Sequence, residues 1–372
     1  MKALYVATVV KTHIMEFHIP YLKMLKDMGW ETYVAAKNDY DNTDECIIPY
    51  CDVFYNILFD RNPFSYKNIK AYKQLKSIIN TNHFDIIHCH TPVGAMLTRL
   101  ASKKARKNGS KVIYTAHGFH FYKGAPVLNW ILYYPAERLL ASLTDVLITI
   151  TKEDYLRAKK FKAKRIEYIP GIGIDLTKFK RAEYSRVVSL KDELNIPSNA
   201  KVLLSVGEIN KNKNHRIVIE ALSRLGNDIW YVICGRGPLV NELKENANRL
   251  GVSERVIFTG YRTDVIDFYS MADVFVFPSY REGLPVALME AMSTNLVCVA
   301  SRNRGTDDLL PNSKLLFDPN NVNELVNKIN QAISTDCSNE VVENHNHLRN
   351  FDLNNTLGLV KGFYLREVSN EQ

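Results

Sequence analysis

No apolar run in this sequence approaches the roughly 20 residues needed to cross a bilayer, so no membrane-spanning helix is expected. The opening stretch, MKALYVATVV, has no small-residue cleavage site and continues into strand-and-helix pattern, so no signal peptide is expected either. Cysteine is scarce, six in 372 residues. No two of them form a CxxC and most sit in apolar runs, which argues against a disulfide framework and for reduced thiols in the cytoplasm. There is no low-complexity tract and no repeat of solenoid length. The first apolar run is not followed by G-x-G-x-x-G, since ATVVKTHIME contains none, which removes a dinucleotide-dependent dehydrogenase. What is present, 46% hydrophobic and 24% charged residues, is the composition of an ordinary globular protein.

Charge is unevenly distributed. Residues 1–180 carry 27 lysines and arginines against 16 carboxylates, a net of +11; the remainder carries 21 against 24, a net of −3. Basic clusters such as KNIKAYKQLK (67–76), KKARK (103–107) and RAKKFKAKR (157–165) fit an anionic partner, either phospholipid or nucleic acid. They lack the repeated aromatic interleaving of a nucleic-acid stacking platform, so the membrane surface is the expected partner and nucleic acid is not.

Short apolar runs alternate with amphipathic segments in two series. ALYVATVV, TYVAAK, FDIIHCH, KVIYTAH and VLITIT form the first; KVLLSVGE, WYVICGRG, RVIFTG, DVFVFPS and LVCVAS form the second. Continuous apolar strands followed by helices imply parallel sheets covered on both faces. The expectation is an α/β protein of two doubly wound, Rossmann-like domains facing across a cleft. The first spans residues 1–172, joined by a C-terminal helix of about 355–372; the second spans 173–354, after the glycine- and proline-bearing link IPGIGIDLTKFKRAEYS.

Ligands of open α/β sheets bind outside the carboxyl ends of the strands. There the first series offers His13, His90, Thr91, His117 and Gly118. The second offers Gly207, Glu208 and Lys213, then Gly235 and Gly237 in CGRGP, Tyr261 and Arg262 in TGYR, and finally REGLPVALMEAMS (281–293). This last segment holds Glu282 and Glu290. Pro285 suits a first helical turn, so a helix is expected to begin near Leu284. The two acids then stand about 10 Å apart by helix rise, with amides of Gly283 and Leu284 between them. Free amides at a positive helix end bind phosphate. Acid, phosphate cradle, acid matches the order sugar, diphosphate, ribose in a nucleotide-sugar better than it matches the carboxylate pair of a hydrolase.

At these residues the chain resembles the retaining glycosyltransferases of family 4, with the two-domain GT-B fold, and is similar to bacterial enzymes of capsule and exopolysaccharide synthesis. The E-x7-E of Glu282 and Glu290 carries the resemblance, with HCHTPVG (88–94), YTAHGFHFYKGAP (114–126), VGEINKNKNH (206–215), CGRGP and FTGYRTDV (258–265) in support. The resemblance implies that Glu282 holds donor-sugar hydroxyls, Glu290 the ribose, and Lys213 the diphosphate, while His117 reaches toward the donor sugar. It implies transfer from a UDP-linked hexose or N-acetylhexosamine to a lipid-linked saccharide, on the inner face of the plasma membrane, with no cofactor. Without a D-x-D at a strand end, no metal is expected. The sequence departs from the family where an arginine is usual before the lysine: Glu208 stands there, with Arg236, Arg302 and Arg304 as replacement cations. It departs again in the first loop, VVKTHIMEFH, which makes Lys11 and His13 acceptor-side candidates together with His90. Phe119, Phe121 and Tyr122 fit either core or an acceptor-side wall. His88 and His90 share a strand face, with no third metal ligand in view. A nucleotide-sugar 2-epimerase of the same fold is the alternative enzyme; a non-enzymatic basic binding protein is the alternative outside catalysis.

Overall fold

The run ALYVATV is apolar at nearly every position because, as a central parallel strand, it is buried on both faces. In the computed structural model, which describes residues 1–369, it forms β1 (Lys2–Val9) of a seven-stranded sheet. The others are β2 (Glu31–Lys37), β3 (Val53–Asn56), β4 (Ile86–Cys89), β5 (Lys111–Ala116), β6 (Val146–Thr149) and β7 (Arg165–Tyr168). All pairings are parallel, in the order β3-β2-β1-β4-β5-β6-β7. The order reverses beside β1, where a doubly wound sheet opens its ligand crevice.

One face of this sheet buries Leu4, Val6, Ile87, Cys89, Tyr114 and Leu147. The opposite face is partly polar: Tyr5 pairs laterally with His88, and Thr115 lies two residues beyond His88's partner Ile113. The helix Leu353–Ser369 satisfies that face. The Tyr364 hydroxyl lies 2.5 Å from both the Tyr5 hydroxyl and His88 Nδ1, and Arg165 pairs with Glu367 at 3.2 Å. Residues 354–369 therefore belong with Met1–Gly173 in the first unit, and the second unit is Ile174–Leu353. Residues 370–372 of the expected terminal helix lie outside the described residues.

The second unit has a six-stranded parallel sheet, ordered β10-β9-β8-β11-β12-β13. Its strands are β8 (Lys201–Val206), β9 (Ile229–Cys234), β10 (Val256–Gly260), β11 (Val274–Phe277), β12 (Val297–Ser301) and β13 (Leu316–Phe317). Alternate residues feed two cores, Val202, Leu204, Phe275 and Phe277 on one face and Leu203, Val274, Val276 and Val299 on the other. Helices cover both.

Candidate active site

In the second unit three strand ends are fastened by backbone bonds. The Gly207 amide donates to the Cys234 carbonyl (2.9 Å), that of Ile209 to Arg236 (2.9 Å), and that of Gly235 to Gly260 (2.8 Å). This close approach dictates the glycines of CGRGP. A methyl group on Gly235 would meet the Gly207 carbonyl oxygen at 1.8 Å, and one on Gly237 the Ile209 oxygen at 2.2 Å.

The segment after β8 is in turn tied to the segment after β11. The Tyr280 amide donates to the Asn212 carbonyl (2.8 Å), and the Asn212 side-chain amide donates to the Arg281 carbonyl (2.9 Å). These bonds bring Lys213 to Glu282. Nζ and Oε1 stand 2.9 Å apart, with side chains only 21% and 15% exposed, and Nζ lies 5.0 Å from the Phe277 ring centroid. Two opposite charges drawn out of bulk water in this way are each the other's main compensation. Arg304 Nε donates to the Glu282 carbonyl (3.0 Å), which places one of the three candidate replacement cations beside this acid. Arg236 and Arg302 are exposed.

The helix of the E-x7-E segment runs Val286–Ser293 with Pro285 at its N-cap, so it starts two residues later than expected from Pro285 in the first turn. Gly283 and Leu284 lie in the turn ahead of it. A methyl on Gly305 would fall 2.1 Å from the Gly283 oxygen, so the backbone of the following helix packs closely on this turn. Glu290 accepts from the Tyr269 hydroxyl at 2.8 Å. Burial, and then the Glu290 charge, push the Tyr269 phenol well above its usual range, so it stays a donor. Glu208 is exposed and accepts from the Asn210 side chain at 2.9 Å. Tyr261 is exposed, but the Arg262 guanidinium turns to Asp264 (2.7 Å) and lies against Phe268, so it has partners of its own.

In the first unit, His90 follows β4, His117 follows β5, and His13 lies in the turn Val10–Ile14 after β1. His90 Nδ1 and His117 Nε2 are 3.2 Å apart. Burial lowers the His117 imidazole to about 4, so it is neutral at physiological pH. For Phe119 and Phe121 the packing decides between the two readings left open. They stack on one another at 4.8 Å, pack on Phe161, and are 3% and 0% exposed, so they are core and not an acceptor-side wall. Tyr122 is half-buried. Beside His13 opens a largely apolar cavity of about 490 Å³, walled by Arg61, Phe64, Met96, Leu132 and Tyr133.

Sequence reasoning missed Tyr269, Asn212 and His18. The first two act only through tertiary contact, whereas His18 had a visible signal: six of the ten histidines fall at 13, 18, 88, 90, 117 and 120.

The family described as "Glycosyl transferase 4-like" matches residues 2–151, and the family "Glycosyl transferases group 1" matches residues 189–349. The chain is 40% identical over 314 residues to "Putative glycosyltransferase EpsD" of Bacillus subtilis (strain 168), covering 83% of this chain and 81% of that one. It is 29% identical over 331 residues to the UDP-Gal:alpha-D-GlcNAc-diphosphoundecaprenol alpha-1,3-galactosyltransferase of Escherichia coli, covering 84% and 83%. Among solved structures, Anabaena HepE in complex with UDP and glucose superimposes with a TM-score of 0.78 at 20% identity, over 98% of this chain and 99% of that one, a likeness of fold. With both sheets matched and a relative at 40% identity along most of its length, the chain belongs to the family 4-type glycosyltransferases of the GT-B fold.

Proposed function

We propose that the chain transfers a hexose or N-acetylhexosamine from a UDP-sugar, with retention of anomeric configuration, to a saccharide carried on a polyprenyl diphosphate at the inner face of the plasma membrane. One observation carries the donor side: the Lys213–Glu282 pair, held at glycine-lined strand ends. In this reading the arriving donor replaces each partner of the pair. The diphosphate takes the Lys213 ammonium, and hydroxyls of the sugar take the Glu282 carboxylate, so neither charge is left uncompensated. Lys213, Arg304 and the amides of Gly283 and Leu284 stabilise the negative charge that builds on the departing UDP, without a requirement for a metal. Glu290, steadied by Tyr269, receives the ribose hydroxyls; exposed Glu208 is left to bind a hydroxyl. Neutral His117 serves the donor sugar, and the acceptor hydroxyl attacks the face from which UDP leaves. HepE, solved with UDP and glucose, supports the choice of base, and the name of the Escherichia coli relative supports a diphosphate-linked acceptor.

The acceptor side rests on the first unit. Among the described residues no helix is long and apolar enough to cross a membrane. The helix Val127–Ala141 nevertheless buries only Leu140 and Ala141 fully, and exposes Val127, Leu128, Ile131, Leu132 and Leu139. Phe64, Tyr66 and Ile69 are exposed too, beside Lys67 and Lys70. Apolar side chains rimmed by lysines suit a lipid headgroup boundary, where each basic residue contributes about 1 kcal/mol of attraction to anionic lipid. Calorimetry with UDP, GDP and ADP tests the donor assignment. UDP should bind most tightly and Lys213→Ala should weaken it; tighter GDP binding would remove the uridine assignment.

A further inference from the structure

Four histidines of the first unit converge where no proposed step of transfer needs four. His13 comes from the turn after β1, His18 from just before the helix Ile19–Asp27, His90 from the end of β4, and His117 from the end of β5. One ring nitrogen from each lies within 4.8 Å of the other three. His18 and His90 are each 2% exposed, and the His18 and His90 rings lie 3.9 Å apart. Among the described residues both His18 nitrogens, His13 Nε2 and His90 Nε2 are buried without a hydrogen-bond partner. Buried polar atoms are ordinarily paired, and orphaned nitrogens on three of the four rings point to something bound between them.

We propose that His13, His18, His90 and His117 form a binding site for a zinc-like divalent transition-metal ion, His117 through the Nε2 that faces His90, which leaves its Nδ1 for the donor sugar. One pair already stands at the spacing of ligands. Zn–N bonds of 2.0–2.1 Å in a tetrahedron put two ligating nitrogens about 3.3 Å apart, and His90 Nδ1 and His117 Nε2 stand at 3.2 Å. A cavity of about 10 Å³, close to a single water in size, is lined by His18, His88, His90 and His117 but not by His13. An all-imidazole set selects Zn²⁺, Cu²⁺ or Ni²⁺ over Mg²⁺ or Ca²⁺. His88, although on the same strand face as His90, stays outside the set. Its two nitrogens are taken by Tyr364 and Thr115, at 2.5 and 2.8 Å. The ion would fasten residues 10–18, a loop that lacks the family's glycines, to the ends of β4 and β5.

The test is metal uptake by the full-length chain, stripped with a chelator and titrated with Zn²⁺ and, for its visible spectrum, Co²⁺. The expected result is one equivalent per chain, an intense tetrahedral Co²⁺ absorption displaced by Zn²⁺, and a higher Tm in the metal-loaded protein. Losing an outer-shell partner already costs metal sites about 10–100-fold in affinity, so His18→Ala, which removes a ligand, should cost at least about 100-fold. The variant of exposed His83, His83→Ala, should bind as wild type does. Should His18→Ala fail to fold, His13→Ala at the less deeply buried ligand takes its place. Absence of stoichiometric uptake by the wild-type chain overturns the site, as does an octahedral Co²⁺ spectrum or binding unchanged in both ligand variants.

Discussion

Lys213 and Glu282 compensate one another until a ligand intervenes, so they do not answer equally to mutation. Glu282→Gln keeps the shape of the side chain and a hydrogen-bond acceptor, but loses the charge. Turnover should fall by at least about 100-fold, or about 2.7 kcal/mol of transition-state stabilisation. Thermal unfolding beside the kinetic assay checks the cost to stability, which should be smaller than that of Lys213→Ala because the Lys213 ammonium keeps an acceptor while losing its counter-charge. Lys213→Ala instead leaves a largely buried carboxylate unpaired, so it should lose stability as well as UDP affinity. A second residue-scale prediction concerns pH. His215 is buried against the Tyr231 hydroxyl (3.0 Å), and burial lowers it from 6.5 to about 4. Between those values the unfolded chain binds a proton that the folded chain refuses. The contribution to stability is complete above pH 6.5 and declines as pH falls toward 4. In His215→Gln the fall in denaturation midpoint across that window should be shallower than in wild type. An unchanged slope would mean that His215 is already protonated in the folded state.

At the scale of elements, the helix Val127–Ala141 is held from one side. Arg99, 1% exposed, makes two bonds to Glu137 (2.8 and 3.1 Å) and lies 4.2 Å from the Tyr114 ring, and most of the apolar face is left open. If that face meets lipid, Leu128→Glu with Ile131→Glu should abolish sedimentation with anionic liposomes while the far-UV spectrum is kept. Wild-type binding should weaken as salt rises. Binding that survives both changes would place the membrane contact elsewhere. Elements of this kind were also where the sequence was hardest to read. The central strands announced themselves as continuous apolar runs because both their faces are covered. The three strands without such a run, β3, β7 and β13, are all at sheet edges, and VFYN, RIEY and LF are too short or too polar to stand out. The candidate site was legible at strand ends for the same topological reason, which is how Lys213, Glu282 and Glu290 came to notice. The Lys213–Glu282 pairing was not, because it depends on the loop bonds of Asn212, and the burial of Phe119 and Phe121 depends on Phe161, some 40 positions along the chain.

At the scale of the whole molecule, the chain leaves its first unit at residue 173 and returns to it at 354. The closing helix satisfies buried polar groups of the first sheet, so it is part of that unit's interior. Truncation after Leu353 would strip partners from Tyr5, His88 and Arg165. It should unfold the first unit at lower temperature, while UDP still binds the second, a split that calorimetry with and without UDP resolves. The account's central claim, sugar transfer to a lipid-linked acceptor through the site at Glu282, is tested most directly by following radiolabel. A panel of UDP-sugars is supplied with total bacterial membrane lipid, to wild type and to Glu282→Gln. The prediction is that one UDP-sugar puts label into the solvent-extractable lipid in the wild-type reaction, and that Glu282→Gln loses at least about 99% of it. Labelling at the wild-type rate by Glu282→Gln, or label that stays on the nucleotide as an epimerised sugar, would contradict the account.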